Sequence, residues 1–213
     1  MKHRQCILIT SIFLLSVHAA TAQGTISLQQ PAADDLQQQL LQMGTEDQKL
    51  RSELVALDKD QSPEAQARKK ALWAEQTARD QANMKRLEAI VKEHGWPGIS
   101  QVGLQASIAA FLILQHAELS EQEKYLPMLQ AAAKNNEARP DMVAMLEDRV
   151  LMREGKKQLY GTQLKIDQTG KAELWPIEDE ANVDARRAKV GLMPLAIYLK
   201  RFGIDYAPPK KNP

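Results

Sequence analysis

QVGLQASIAAFLILQHAEL, residues 101–119, decides the fold, because it is the most apolar segment that follows the N-terminal leader of the chain. Its apolar side chains recur every three to four positions, which predicts an α-helix that is buried on most of its surface. Ile108, Leu112 and His116 step by four residues, so the histidine continues an apolar face and should point inward. The sequence therefore predicts a central helix with one buried histidine.

Two helical segments precede the central helix. Residues 34–57 and 63–93 carry apolar side chains at helical spacing, with an interruption expected near Gly44. We interpret residues 34–84 as an antiparallel helical extension, structural in character and separable from the main core. If the extension has a further role, we expect it to contact a protein partner.

Helical patterning continues after the central helix and is interrupted once by a β signal. Two more helices are expected before Gly155, and the segments QLYGTQLKID and AELWPIED then predict a β-hairpin near residues 157–177. The segment that follows returns to helix. The predicted fold is thus mainly α: a helical domain over residues 85–204 with one small β-hairpin, an N-terminal helical pair and a tail at 205–213.

The N-terminus has the three parts of a secretory signal peptide. MKHRQ is basic, CILITSIFLLSV is apolar, and small residues precede a cleavage site expected after Ala22. The apolar run is shorter than the ~20 residues of a membrane helix. We therefore expect residues 1–22 to be removed, residues 23–33 to form a linker, and the mature protein to be periplasmic or extracellular, with no stable membrane span.

Composition excludes several classes of function. The single cysteine, Cys6, lies in the signal peptide, so the mature chain has no thiol chemistry. A net charge of +1 with 26% charged residues does not provide the basic surface that nucleic-acid binding requires. We expect no nucleic-acid partner and no cofactor.

Polar residues are unusually dense in LEDRVLMREGKKQLYGTQ, residues 146–163. Arg149 interrupts the apolar stripe of its helix, and a buried guanidinium needs a carboxylate, carbonyl groups or a bound anion. We expect the hairpin to close over a pocket into which His116 and Arg149 point, and which binds a small polar or anionic ligand. The expected ligand-binding residues are Arg149, Gln158, Tyr160, Thr162, Gln163 and Arg187.

The same residues leave a catalytic interpretation open. With no nucleophile motif in the chain, the enzyme that remains is a metal-independent hydrolase using histidine general acid or base chemistry. Its candidate catalytic residues are His116, His94 and Asp148. These three would also suit a metal ion, but no two of them are spaced i, i+4 on one helix and the chain has no HExxH motif, so we expect no metal site.

Four blocks carry a resemblance to a known family. They are HGWPG at 94–98, QHA at 115–117, EDRVLMREGKKQLYGTQ at 147–163 and PIEDEANVDARRAKVGLMPL at 176–195. In this order they resemble a bacterial family known as a domain of unknown function, over about Lys85 to Leu199. The resemblance implies a shared domain, implies no activity, and leaves the helical extension outside the match.

Overall fold

The computed structural model describes residues 31–58, 60–166, 171–207 and residue 209. The expected signal peptide and most of the expected linker lie outside the described residues. Within them the chain divides into two compact units, residues 31–146 and residues 147–209. The described residues are mainly helical with one two-stranded antiparallel hairpin, so the predicted fold class is confirmed.

Helices form the first unit. They are α1 (Pro31–Ala56), α2 (Pro63–His94), α3 (Ile99–His116), α4 (Leu119–Lys134) and α5 (Pro140–Arg153), the last of which continues into the second unit. Local sequence fixes the ends of α2. Ser62 accepts a hydrogen bond from the Ala65 amide at 3.2 Å, and Pro63 has no amide to leave unsatisfied in the first turn. At the other end Gly95 takes a positive φ of 76° and stops the helix after His94.

The first helix is part of the core of this unit. Leu36, Leu40 and Met43 of α1 belong to one apolar cluster with residues of α2 to α5. The interruption expected near Gly44 was wrong, because α1 runs through it. A Cβ at Gly44 would lie 2.7 Å from the Ala109 side chain, so this glycine lets α1 approach α3 closely.

This packing bears on the expected domain boundary. The sequence predicts a boundary at residue 84, and the chain divides into its two compact units between residues 146 and 147. The core shared by α1 and α3 argues against a separable extension. Leu50, Leu54 and Leu72 form a smaller apolar cluster between α1 and α2, nearer the turn that joins them.

The central helix α3 is buried as its composition predicts. Among the described residues it is the one helix whose length and composition would allow a membrane crossing, and 56% of that stretch is buried inside the protein. Core helices commonly have the same length and composition. Gly103 breaks the regular helix with a positive φ of 78°.

The second unit combines a hairpin with short helices. Strands β1 (Leu164–Ile166) and β2 (Ala172–Leu174) pair in antiparallel register, and a 3₁₀ turn (Glu180–Asn182) leads into α6 (Val183–Lys189) and α7 (Leu195–Lys200). Its apolar core is formed by Leu164, Ile177, Val183, Leu195 and Leu199.

The hairpin is shorter than its sequence suggests. Residues 158–163, QLYGTQ, were expected to belong to the first strand of the hairpin. This was wrong: the segment is an irregular loop that joins β-type pairing only through an isolated bridge between Gln158 and Ile177. Hydrogen bonds from side chains, described next, take the place of a strand ladder.

Candidate functional site

One carboxylate organises the polar loop of residues 158–163. Asp148, fully buried on α5, accepts hydrogen bonds from the backbone amides of Leu159 at 2.7 Å, Tyr160 at 3.0 Å and Thr162 at 2.9 Å. It also accepts from the Thr162 hydroxyl at 2.8 Å. Asp148 thus supplies the acceptor that a neighbouring strand would otherwise supply to these amides. This explains why the loop is stable without pairing to a strand.

The buried side chain of Gln158 forms hydrogen bonds with the backbone of the same loop and of the segment beside it. Its side-chain Nε2 donates to the carbonyl oxygens of Gln163 at 3.0 Å and Trp175 at 2.7 Å, and its Oε1 accepts from the Gln163 amide at 2.8 Å. The side chain therefore imitates a neighbouring strand at the point where the regular pairing has ended.

Arg187 joins the loop to the segment between α6 and α7. Its guanidinium, 1% exposed, donates from Nε to the carbonyl of Met193 and from Nη1 to the carbonyl of Tyr160, both at 2.6 Å, and lies 5.1 Å from the centre of the Tyr198 ring. Burial lowers the pKa of Arg187 from its ordinary value. Carbonyl groups and an aromatic face therefore hold this cation in place.

Burial also shifts the acidic groups of this loop. It raises the pKa of Asp148, although the amides of Thr162 and Tyr160 oppose the shift. The pKa of Glu147 is raised by burial and by the adjacent charge of Asp148. A proton is consequently held more tightly at both carboxyl groups than at an exposed acid.

Several of the residues expected to bind a ligand meet in this one loop. Gln158, Tyr160, Thr162, Gln163 and Arg187 lie together, with Asp148 at the centre of the hydrogen bonds. Arg149 follows Asp148 on α5 and is 4% exposed, as its place on the apolar stripe predicted. His116 and His94 belong to the first unit. The ligand-binding and catalytic roles assigned to all these residues stay predictions.

Gly161 lets the loop close against the core of the second unit. It has a positive φ of 71°, and an added Cβ would lie 2.8 Å from a methyl group of Ile177 and 2.8 Å from one of Leu195. Gly155 also has a positive φ, 75°, but an added Cβ there would meet nothing within 4 Å. Only the first glycine therefore combines backbone strain with close packing.

We expect Gly161→Ala to lower the free energy of unfolding by about 1–3 kcal/mol more than Gly155→Ala does. Both variants place an alanine in a left-handed backbone conformation, but only Gly161→Ala adds a methyl group to a closely packed core. Urea unfolding of the two variants measures the difference. Equal losses would contradict the close packing at Gly161.

A second polar cluster lies in the first unit, on helices that the sequence marked as structural. Asp47 and Arg51 project from α1, Asp80 from α2 and His116 from α3. His116 Nδ1 lies 3.0 Å from an Asp47 carboxylate oxygen, and Arg51 Nη2 lies 2.6 Å from Asp80 Oδ1 and 3.5 Å from Asp47 Oδ1. Three helices thus meet through an ionic network.

This network is buried. Side-chain exposure is 1% for Asp47, 4% for His116, 8% for Arg51 and 17% for Asp80. Burial acts to raise the pKa of Asp47, but the hydrogen bond and charge of His116 and the charge of Arg51 outweigh it and lower that pKa. For Asp80 burial prevails over Arg51, and the pKa is raised.

Sequence reasoning found only His116 of this cluster. Two pairs of polar residues in the predicted extension could have indicated the others. Asp47 and Arg51, and likewise Gln76 and Asp80, are spaced i, i+4 and so share a helix face. Such pairs normally lie on solvated helix faces. His94, the other histidine candidate, lies on the last turn of α2 and is exposed, beside Glu93 at 3.5 Å.

The helical pair α1–α2 also exposes large apolar side chains. Leu41 is 39% exposed, and Val55 and Trp73 are each 49% exposed. Val55 and Trp73 follow Leu54 and Leu72 by one position, and these two leucines pack together between the helices. In an antiparallel pair this places Val55 and Trp73 on the same side. Leu41 lies on that side of α1 as well, almost four turns, or about 21 Å, before Val55.

Comparison with known proteins identifies a family and nothing more specific. A family model described as a family of unknown function, DUF6624, matches residues 34–208, which is most of the chain. The chain belongs to DUF6624. The DUF6624 match includes the helical pair, so the limit that the sequence blocks suggested at Lys85 was too narrow. No curated protein matches the chain. No solved structure matches it either.

Proposed function

We propose that this DUF6624 protein is an exported binding protein whose helical pair α1–α2 contacts a protein partner. The observation that carries the proposal is the half-exposed indole of Trp73 on the same side of the helical pair as Val55, with Leu41 about 21 Å further along α1. We name this side of the pair the apolar face. Scattered apolar side chains are ordinary on protein surfaces, but an exposed tryptophan on the same side as two aliphatic side chains is typical of a contact surface.

The partner chemistry follows from these side chains. A half-exposed indole and two aliphatic groups recognise an apolar or aromatic surface. Export is supported by the three-part signal peptide, and it places such a partner outside the cytoplasm. Support for a small polar or anionic ligand is weaker, because these polar side chains already have partners within the protein. Gln158 and Arg187 donate to backbone carbonyl groups of the loop, and the Thr162 hydroxyl donates to Asp148.

A second candidate function is hydrolysis by histidine acid–base chemistry, and one observation favours it. Asp47 lies 3.0 Å from His116 Nδ1, and a carboxylate in this position orients an imidazole as a proton acceptor. However, the His116 side chain is only 4% exposed, so a substrate has little access to it. The geometry therefore favours binding over catalysis.

Site-specific photo-cross-linking tests the binding proposal. A benzophenone amino acid replaces Trp73 or Val55 in the full chain expressed in its own host, and the periplasmic fraction is analysed after irradiation. Glu75 is the matched control, since it is exposed on the same helix but lies about 200° around it from Trp73. We expect one discrete cross-linked product at positions 73 and 55 and none at 75.

Two outcomes would contradict the proposal. One is the absence of a product at both 73 and 55. The other is an equal yield at position 75, which would indicate random collision.

A further inference from the structure

The buried cluster of the first unit has the composition of a cation site. Asp47, Asp80 and His116 each offer one ligand atom, and these atoms lie within 4.8 Å of one another. Ligand atoms bound to a tetrahedral zinc ion at about 2.0–2.2 Å lie roughly 3.3–3.6 Å from one another, which is within the spread of these three atoms. The three side chains can therefore reach one ion with small adjustments.

A neighbouring glutamine points to an occupant. Gln76 is completely buried, and its Nε2 donates to Asp80 Oδ1 at 2.7 Å. Because a carboxylate only accepts hydrogen bonds, the Gln76 atom that faces Asp80 must be the nitrogen Nε2. The remaining polar atom of this side chain is therefore the oxygen Oε1. This Oε1 is buried and accepts no hydrogen bond within the described part of the chain. A buried acceptor without a donor calls for a cation or a bound water.

The hydrogen bonds of Asp80 occupy only one of its two carboxylate oxygens among the described residues. Arg51 Nη2 and Gln76 Nε2 both donate to the same oxygen, Oδ1, at 2.6 and 2.7 Å. Among the described residues Oδ2 has no such donor. Arg51 and Gln76 thus hold the carboxylate in one orientation, in the manner of outer-shell partners at metal sites.

Charge favours a cation at this position. With a neutral imidazole, the two carboxylates and the Arg51 guanidinium leave one negative charge in a buried environment. Arg51 Nε is also buried without an acceptor among the described residues. Water bound to an ion would satisfy atoms of both kinds, because a water can donate to Gln76 Oε1 and can accept from Arg51 Nε.

We propose that Asp47, Asp80 and His116 bind one divalent cation of the zinc and manganese class, with Gln76 and Arg51 in the outer shell. One imidazole with two carboxylates is a ligand set that suits these ions. The burial of Asp47 and His116 leaves an organic ligand no access to them. The expectation of no metal site considered His94, His116 and Asp148, whereas the fold brings two other carboxylates to His116.

Metal binding to the purified mature protein tests this proposal. After treatment with a chelator and its removal, the protein is titrated with Zn²⁺ by calorimetry and with Mn²⁺ by electron paramagnetic resonance. We expect one ion per chain and a rise in melting temperature when Zn²⁺ is present. Binding should weaken below pH 6, because protons compete for the imidazole and the carboxylates.

Three variants locate the ion. Asp80→Asn and His116→Gln should each weaken binding at least about tenfold, and Gln76→Leu by a smaller factor. The control is His94→Gln, which removes the exposed histidine of the same unit and should bind as wild type does. Circular dichroism confirms that each variant is folded, and the manganese signal of the wild-type protein reports binding independently of any variant.

Two results would overturn the proposal. Wild-type protein that binds neither ion at millimolar concentration shows that Arg51 and a protonated His116 alone balance the carboxylates. An equal loss of binding in His94→Gln and His116→Gln shows that the ion binds elsewhere.

Discussion

Asp148→Ala should lower the free energy of unfolding of the second unit by about 3–5 kcal/mol, the largest effect of any single substitution in its loop. The variant leaves the backbone amides of Leu159, Tyr160 and Thr162 buried without an acceptor. Each such amide costs about 1–3 kcal/mol, and the loop relieves part of this by opening to water. Urea unfolding of the full chain at pH 7 measures the loss.

The control for this substitution is Glu154→Gln, just beyond the end of α5. Glu154 is exposed and forms an ion pair with Lys156 at 3.0 Å, so its neutralisation should change stability by no more than about 0.5 kcal/mol. If Asp148→Ala costs no more than this control, the carboxylate does not organise the loop.

Leu40→Ala should destabilise the first unit by about 2–5 kcal/mol, because Leu40 is completely buried in the core that α1 shares with α3. The adjacent Leu41 is 39% exposed, so Leu41→Ala should cost well under about 1 kcal/mol. Chemical denaturation compares the two variants. Similar losses would mean that α1 does not pack as described.

The same packing predicts a larger effect for truncation. A chain that begins at Lys85 lacks Leu36, Leu40 and Met43, and it exposes the face of α3 that they cover. The loss is about 1.5–3 kcal/mol for each of the three side chains, which together approach the whole stability of an ordinary domain. We expect no cooperative unfolding transition for the first unit, whereas a separable extension would leave that transition intact.

Local patterns predicted the elements of this fold and the burial of two polar residues. Helical spacing predicted the helices, and Gly155 predicted the end of α5, since these signals act within a few residues. The positions of His116 and Arg149 on apolar stripes predicted their burial for the same reason.

Contacts between distant residues could not be predicted in this way. Asp47 and Asp80 lie on α1 and α2 at spacings that favour surface ion pairs, and only the packing of α1 and α2 against α3 brings them to His116. Likewise Gly44 suggested a helix break when considered alone, although its small size serves a close approach to Ala109. A single sequence contains the residues of such contacts but not their pairing.

The loop at residues 158–163 was mispredicted for a related reason. Alternating residues after a helix stop favour a strand, and nothing local indicates that Asp148, ten residues before Gln158, accepts the amides instead. Asp148 and Gln158 satisfy the backbone of this loop, which explains their place in the polar stretch of residues 146–163 more directly than an open pocket does.

Amide hydrogen exchange tests directly whether Asp148 builds this loop. In the wild-type protein the amides of Leu159, Tyr160 and Thr162 should exchange at least about a hundredfold more slowly than unprotected amides, because opening the loop breaks all their bonds to one buried carboxylate. In Asp148→Asn this protection should largely disappear, since the amide group presents a donor where the loop needs an acceptor. Unprotected exchange at these three positions in the wild-type protein, or unchanged protection in Asp148→Asn, would contradict a loop organised by Asp148.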